Sequence, residues 1–541
     1  RSGRYRDRGP YRTDFLAENA EEEELEAEIA ASIEMVTKSL MGTMKSKPKK
    51  FWDVIRRMKG DGKSGLLPGW MMTGEGITTD KKGLGRVWME TYERKSYIPR
   101  TEEERAWRKK IRREVVRWEK MSNMGIGGED VDMKEMKDNR KGTSKDGEPG
   151  KDLVTNRMLE QGGVEFDKVL LLIYNKILEI ESTPPQFKED VTVPLHKRGG
   201  RHAVRNFRPV SLVLTILKHF QRILYGRVNS SEAGKTLTGD YNFGSVKGRD
   251  RHMLLWLVNA SCLWEMCMEE KGGRVIMGAW DVDNAYPSMW QDGVDWLMWQ
   301  AGVRGKLWRV LREMEKGLKG SVRINGHFLD MKVHEDGGNQ GAVSPPHRWK
   351  YMMGGWFKNC IEKGMGVEVG GVKIPGGGYV DDATMLAYGP GEMALMKVER
   401  DIYGGLWGFN WKLSKDQYTV RGNKKGMIKD IVEMGRLGLK VQNNVLVLGE
   451  KVGWNPDRCP DQFKMVVIRI RSAIRVLEWA VWKGSVMGSE MLESLFCVMA
   501  ESIARSHLVH TRLLQSELDE LDALKAGVGK KFLGVTKDSS R

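Results

Sequence analysis

Two adjacent carboxylates, Asp381 and Asp382, sit in the stretch Ile374-Pro-Gly-Gly-Gly-Tyr-Val-Asp-Asp-Ala-Thr-Met-Leu-Ala-Tyr388. Neighbouring acids repel, and packing gives no reason to place them together. A hard divalent cation does, because Mg²⁺ takes oxygen ligands from one or two carboxylates plus substrate phosphates. A bare Asp-Asp pair is commonly a solvated turn. Here the pair is flanked by apolar runs and three glycines. A third acid, Asp281, ends the apolar run Val275 to Trp280 in Arg274-Val-Ile-Met-Gly-Ala-Trp-Asp-Val-Asp-Asn-Ala-Tyr286. Brought together, the three acids can hold two metals roughly 3.5–4 Å apart for in-line phosphoryl displacement.

The elements that must position them are strands. Gly376 to Gly378 lead into a strand and the Asp pair occupies a tight hairpin. The run after it is the second strand. Val275 to Trp280 reads as a buried strand with Asp281 at its exposed end.

At 541 residues, the chain is too long for one core and implies several subdomains. Apolar residues make up 40% and charged residues 30%, which excludes a chain disordered throughout. The net charge of +16 fits a polyanionic partner such as nucleic acid, although solubility accounts for some basic chains too. Cys262, Cys267, Cys360, Cys459 and Cys497 are scattered, with neither a disulfide framework nor zinc-ligand spacing. That pattern fits a reducing, intracellular compartment. No signal peptide and no membrane-spanning apolar run is read, so no membrane partner is expected. The chain begins with Arg1 rather than Met, which reads as a fragment or processed piece.

Along the chain, Arg1 to Arg12 is a basic arm, and Ile29, Ile33, Val36 and Leu40 recur at helical spacing. Lys49 to Arg57 is a short basic helix with aromatic anchors. Trp107, Ile111, Val115 and Trp118 form one face of a further helix whose remaining faces are basic. It either grips a phosphate backbone or docks by its Trp stripe. Gly125 to Gly150 reads as a mobile linker. Helices are expected over Val169 to Ile180 and through Val467, Ile470, Ile474, Leu477 and Val481.

Tyr379-Val380-Asp381-Asp382 with the Asp281 block resembles the catalytic centre of reverse transcriptases, and the surrounding blocks are similar to the non-LTR (LINE-type) retrotransposon branch. Asn206-Phe-Arg-Pro-Val-Ser-Leu212 resembles that family's NYRPISL block, and Phe243-Gly-Ser-Val-Lys-Gly-Arg249 its GFRKGRS block. Gly142 to Gly147 is similar to PGPDG without the prolines. Gly337 to Pro346 resembles PQG…SP, but only Ala342 and Val343 separate Gln340-Gly341 from Ser344-Pro345 where the family has three residues. Val445-Leu-Val-Leu-Gly449 resembles the YLG primer-grip strand, and the likeness runs from Lys49 to Val535.

The resemblance implies an α+β right-hand polymerase. Residues 1–140 would form a helical extension, 141–270 the fingers, 271–430 the palm and 431–541 the thumb. It implies RNA-directed DNA synthesis, with an RNA template, a DNA primer or target and dNTP substrates. It implies two Mg²⁺ ions, with Mn²⁺ as a substitute, held by Asp281, Asp381, Asp382 and the Val282 carbonyl. Lys415 is the family's candidate general acid, or merely a surface cation. Nucleotide contacts fall on Lys197, Arg208, Tyr286, Gln340 and Gly341, with Tyr286 excluding a 2′-hydroxyl. Arg208 could instead brace its loop. Template and primer contacts fall on Lys247, Arg249, Tyr379, Gly449, Arg471 and Arg475. A plain turn at 247–249 and solvated thumb arginines are the alternatives there. A nuclear location is implied by the family. Two further readings stay open: a catalytically degenerate RNA-binding scaffold, motivated by the short Gln340 loop, and an RNA-dependent RNA polymerase, against which Tyr286 argues.

Overall fold

The computed structural model describes residues 71–73, 76–78 and 87–88, then 97–482 except 122–124, 142, 146, 198–199, 201, 269–272, 325–326 and 335, and finally 501–532. The helix expected over Ile29 to Leu40 and the Lys49 to Arg57 block lie outside these residues. Helices and strands are mixed along the chain, an α+β architecture. One compact unit holds Leu67–Val467 with Ala504–Leu518; the described parts of 468–503 and 519–541 belong to a second. No described helix is long and apolar enough to cross a membrane.

In the larger unit, β1 (Met71–Thr73) and β2 (Gly76–Thr78) form a small hairpin. Helix α1 (Glu102–Glu119) follows. Thr101 caps it by accepting from the Glu104 N–H at 3.1 Å, and Glu102 to Glu104 complement the positive end of its dipole. Ile111, Val115 and Trp118 are buried, and Trp118 stacks on Trp299 with centroids 4.9 Å apart. One basic residue on this helix turns inward, Arg108, which lies 4.4 Å over the Trp290 ring. Arg112 stays exposed while pairing with Asp292 at 3.2 Å.

The linker expected over Gly125 to Gly150 is instead tied to the core. Helix α2 (Met133–Arg140) forms inside it, capped by Asp132 accepting from Glu135 N–H at 2.8 Å. Val131 and Met136 are buried. Two apolar anchors and one cap outweigh the surrounding glycines and charges.

Two sheets follow. Strand β3 (Glu189–His196) pairs with β4 (Phe207–Leu212), and α3 (Thr215–Ser230) and α4 (Arg251–Met268) come next. Strand β5 (Arg274–Asp283) is the centre of the second sheet. Helices α5 (Gln291–Gln300) and α6 (Gly305–Glu315) lead to β6 (Leu318–Ile324) and β7 (His327–His334). These rejoin the first sheet in the order β4-β3-β6-β7, with β3 parallel to β6. That sheet therefore draws strands from both sides of residue 270.

Helix α7 (Ser344–Glu362) carries Arg348, fully buried and paired with Asp295 at 2.6 Å; Arg312 reaches the same Asp295 at 2.5 Å and Asp292 at 2.7 Å. This charged network joins α5, α6 and α7. The small hairpin β8 (Val367–Val369) and β9 (Val372–Ile374) precedes β10 (Gly376–Tyr379) and β11 (Asp382–Ala387). Helix α8 (Pro390–Trp407), β12 (Asn410–Trp411) and β13 (Gln417–Gly422) complete the second sheet. Strand β11 pairs with one edge of β5, β12 and β13 with the other, all antiparallel. Val275 and Met277 on β5 pack with α4 residues Leu254, Leu255 and Val258; Ile276 and Trp280 enter the main core with Met393 and Met396 of α8. The period of two puts alternate side chains in two cores, the pattern of a strand buried on both faces.

Strands β14 (Asn444–Val447) and β15 (Glu450–Gly453) form a hairpin through Leu448 and Gly449, both at positive φ (49° and 85°), as a two-residue type I′ turn requires. Helix α9 (Pro460–Trp482) covers the run expected from Val467 to Val481, and α10 (Gln515–Phe532) is the last described helix.

Candidate active site

The hairpin β10–β11 closes through Val380 and Asp381, with Tyr379 and Asp382 as the last cross-strand pair. Its approach needs glycine. A Cβ on Gly378 would meet the Phe357 ring at 2.8 Å. The Gly378 backbone also exchanges hydrogen bonds with the 241–243 segment: Phe243 N–H donates to Gly378 O and Gly378 N–H to Tyr241 O, both at 2.8 Å. Val380 adopts φ 61°, a strained conformation for a β-branched residue. Two bonds hold it there. Trp349 Nε1 donates to Val380 O at 2.8 Å, and Val282 N–H donates to Asp381 O at 3.1 Å.

Strand β11 then sets the register on β5, and Asp382 lies directly opposite Asp281. Like charges in that position are unfavourable. All three acids line one open cleft of about 650 Å³. Burial first, then Asp381 and Asp281, push the Asp382 carboxyl up to about 7, with Lys415 opposing. Asp382 also keeps an exposed edge on the cleft, so water screens part of that burial effect. Asp381 is raised for the same leading reason, burial, with Asp281 adding to it.

The basic wall comes from elsewhere. Lys415, just after β12, ion-pairs with Asp281 Oδ2. Its segment is fixed by Lys412 N–H donating to Asp281 O at 2.8 Å. Lys197 follows β3 with its N–H on Asn206 O at 2.8 Å, and Arg208 is on β4 opposite Leu195. Both face the cleft. Burial lowers the Lys197 ammonium pKa, and Arg208, Lys412 and Lys415 lower it further. Tyr286 is the second residue of a short helical turn, Ala285–Ser288, entered through Asn284 at φ 51°. Burial and then Asp381 push its hydroxyl up to about 12.

Gln340 reaches the cleft despite the short loop after it. Ala342 N–H donates to Asn339 O at 2.9 Å, so the loop closes as a turn and α7 starts at once with Pro345 and Pro346 in its first turn. Gly341 has φ 121°, and a Cβ there would lie 2.5 Å from Ser211 O. The structure thus brings together Asp281, Val282, Asp381, Asp382, Lys415, Lys197, Arg208, Tyr286, Gln340 and Tyr379 around one cleft.

Other candidates lie elsewhere. Lys247 and Arg249 line a second cavity of about 530 Å³ with Lys350, and Arg249 Nη1 donates to three backbone carbonyls, those of Gly239, Asp240 and Asn242. Gly449 forms the β14–β15 turn, but its neighbour Leu448 is the cleft residue. Arg471 and Arg475 belong to the second unit, where Arg471 pairs with Glu520 at 2.9 Å. Two cations missed as cleft residues, Lys412 and Arg251, also line it. Their signal was weak: Lys412 lies three residues before Lys415, and Arg251 is one of a run of charges.

A floor of three carboxylates under a wall of lysine and arginine can bind hard divalent cations and a phosphate-bearing substrate. The chain is similar to a probable RNA-directed DNA polymerase from transposon BS of Drosophila melanogaster, 25% identical over 199 residues, which is 37% of this chain and 22% of that protein. It is also similar to the RNA-directed DNA polymerase from mobile element jockey of Drosophila funebris, at 25% over 201 residues, 37% of this chain and 21% of the relative. A third relative, a probable RNA-directed DNA polymerase from transposon X-element of Drosophila melanogaster, is 23% identical over 199 residues, 37% of this chain and 22% of its own length. The chain therefore spans about a fifth of the length of the curated relatives it matches. No protein-family model matches it. The names of these relatives agree with the activity that the motif resemblance implied.

Proposed function

We propose that this chain is the polymerase part of a non-LTR retrotransposon reverse transcriptase, adding dNTPs to a primer 3′-hydroxyl on an RNA template. The observation that carries the reading is the register of β5 and β11, which sets Asp281 against Asp382 with Asp381 in the adjoining turn. The donor set fits Mg²⁺: the oxygens are hard, and burial first, then the neighbouring acids, raise the Asp381 and Asp382 carboxyl pKa values. Asp281, Asp381, Asp382 and the Val282 carbonyl would hold two such ions, with Mn²⁺ as a substitute. When bound, they supply charge stabilisation at the attacking and leaving oxygens.

The chain's own groups do the rest. Lys197 and Arg208 neutralise the triphosphate, and Arg208 suits phosphate by its planar donor fork. Tyr286 lies under the sugar and excludes the 2′-hydroxyl. Gln340 contacts the nascent base pair while Gly341 allows the close backbone approach behind it. With Asp281 engaged by a metal ion, Lys415 would be released from its ion pair and could protonate pyrophosphate. In this reading the first sheet belongs to the fingers and the β5-centred sheet is the palm. The chain from residue 431 forms the thumb, and RNA template and DNA primer or target are the partners. The short loop leaves Gln340 on the cleft, which supports the polymerase reading over the scaffold one.

Primer extension on an RNA template, run separately with dNTPs and rNTPs, is the test. Asp381→Asn with Asp382→Asn is expected to abolish Mg²⁺-dependent extension while RNA binding persists. Extension retained by that variant refutes the site. Preferential rNTP use would favour an RNA polymerase instead.

A further inference from the structure

Away from the carboxylate floor, three ligand-type side chains converge from three elements. His252 is the second residue of α4, Glu450 is the first residue of β15, and His510 lies in the turn between the 502–507 helix and α10. One ligand atom from each lies within 4.8 Å of the other two. His252 Nδ1 is 3.1 Å from His510 Nε2, and the rings are nearly parallel with centroids 5.3 Å apart. Two imidazole nitrogens on a tetrahedral ion at about 2.0–2.1 Å would be separated by roughly 3.4 Å, so closing the site needs a shift of a few tenths of an ångström.

The third ligand is a buried carboxylate, with 3% of its surface exposed. A cavity of about 20 Å³ adjoins Glu450 and His510, which is room for one water. Three protein ligands plus one water is a recurrent zinc arrangement.

We propose that His252, Glu450 and His510 form a site for a divalent transition metal, Zn²⁺ in the first instance. Nitrogen ligands select against Mg²⁺, so this ion is chemically distinct from those of the carboxylate floor. Metal on His252 Nδ1 places the proton on Nε2, and the long 3.4 Å contact from Arg251 Nε is given up. The Arg251 guanidinium keeps its bond to Ser506 O at 3.0 Å.

The site would act as a clasp. Arg251, beside one ligand, and Leu448, two residues before another, both line the large cleft. A bound ion would fix the β14–β15 turn against α4 at the cleft edge. The inference does not depend on the polymerase reading.

The test uses the full chain stripped with EDTA, in the Asp381→Asn/Asp382→Asn background so that the carboxylate floor does not compete. Calorimetric titration with Zn²⁺ is expected to show one ion per chain. Co²⁺ is expected to give visible absorption stronger than a six-coordinate oxygen site produces. His252→Gln and His510→Gln should each weaken Zn²⁺ by more than about a hundredfold, beyond the 10–100-fold typical of losing an outer-shell partner. Circular dichroism checks that each variant folds, and either one suffices. Absence of Zn²⁺ binding, or binding unchanged in a folded variant, overturns the proposal and leaves a hydrogen-bonded histidine pair.

Discussion

Arg400 is the side chain whose loss should be felt most widely. It is fully buried on α8 and chelates Asp416, with Nη1 at 2.9 and 3.0 Å from the two carboxylate oxygens. Its guanidinium lies 4.6 Å over the Trp280 ring and 5.4 Å from that of Trp411. Asp416 is itself 8% exposed and directly follows Lys415. Arg400→Met keeps most of the volume and removes the charge. Asp416 then retains Tyr418 OH, at 3.3 Å, but loses its buried cation. Breaking one side of such a pair costs about 3–5 kcal/mol, because the remaining charge stays desolvated. Removing both charges as Arg400→Met with Asp416→Leu should recover most of that loss, since an apolar pair of similar volume is often neutral. Urea unfolding followed by far-ultraviolet circular dichroism measures both. Trp fluorescence is unsuitable, as two indoles contact the mutated side chain. A loss below about 1 kcal/mol for Arg400→Met, or a double variant no more stable than the single one, refutes the reasoning. The single variant should also slow primer extension more than its residual folded fraction explains, since the segment carrying Lys415 loses its anchor.

Two further outcomes follow from local geometry. Gly341→Ala places a Cβ 2.5 Å from Ser211 O at φ 121°, so it should destabilise by more than about 1 kcal/mol in thermal or urea melts; an unchanged melt would show that the loop can relax. Asp382 has a folded carboxyl pushed up to about 7, against about 3.9 when unfolded. Its contribution is intact below both values and is lost as pH rises from about 4 towards 7, where only the unfolded chain ionises freely. In EDTA, Asp382→Asn should therefore gain on the parent across that window and hold a constant lead above it. Melts at pH 4 to 8 check this, and a lead that does not change through the window contradicts it.

The hairpin and β5 were legible because their signals are local: glycines before a turn, apolar runs, and acids where packing asks for none. The same local rule failed at Gly125 to Gly150, where Val131 and Met136 bury against helices far along the chain. Strands β6 and β7 went unread, since Lys319 and Arg323 blur their alternation and the partner β3 precedes them by well over a hundred residues. The Arg348–Asp295–Arg312 network was invisible for a similar reason. Nothing in the sequence pairs Asp295 with an arginine 53 residues away. The carboxylate register could be expected only as a cluster. That Asp281 and Asp382 are direct cross-strand neighbours depends on hairpin length and pleat, which motif spacing does not fix.

Two local rules are broken within four residues of this site. Val380 takes a positive φ that costs about 1–3 kcal/mol, and Asp382 faces Asp281 across the ladder. Neither is offset by an attraction between the acids. The backbone holds them, through the β5–β11 ladder, the Trp349 bond to Val380 O and the Val282 bond to Asp381 O. Behind them Val275, Ile276 and Met277 are almost completely buried, and full burial of such side chains contributes about 1.5–3 kcal/mol each. The core can therefore sustain a hairpin that would not choose its own geometry. A sheet gains nothing from that arrangement, whereas cations arriving with a substrate would find their ligands already assembled. Violations concentrated where the surrounding structure over-determines them are the physical mark of a functional site.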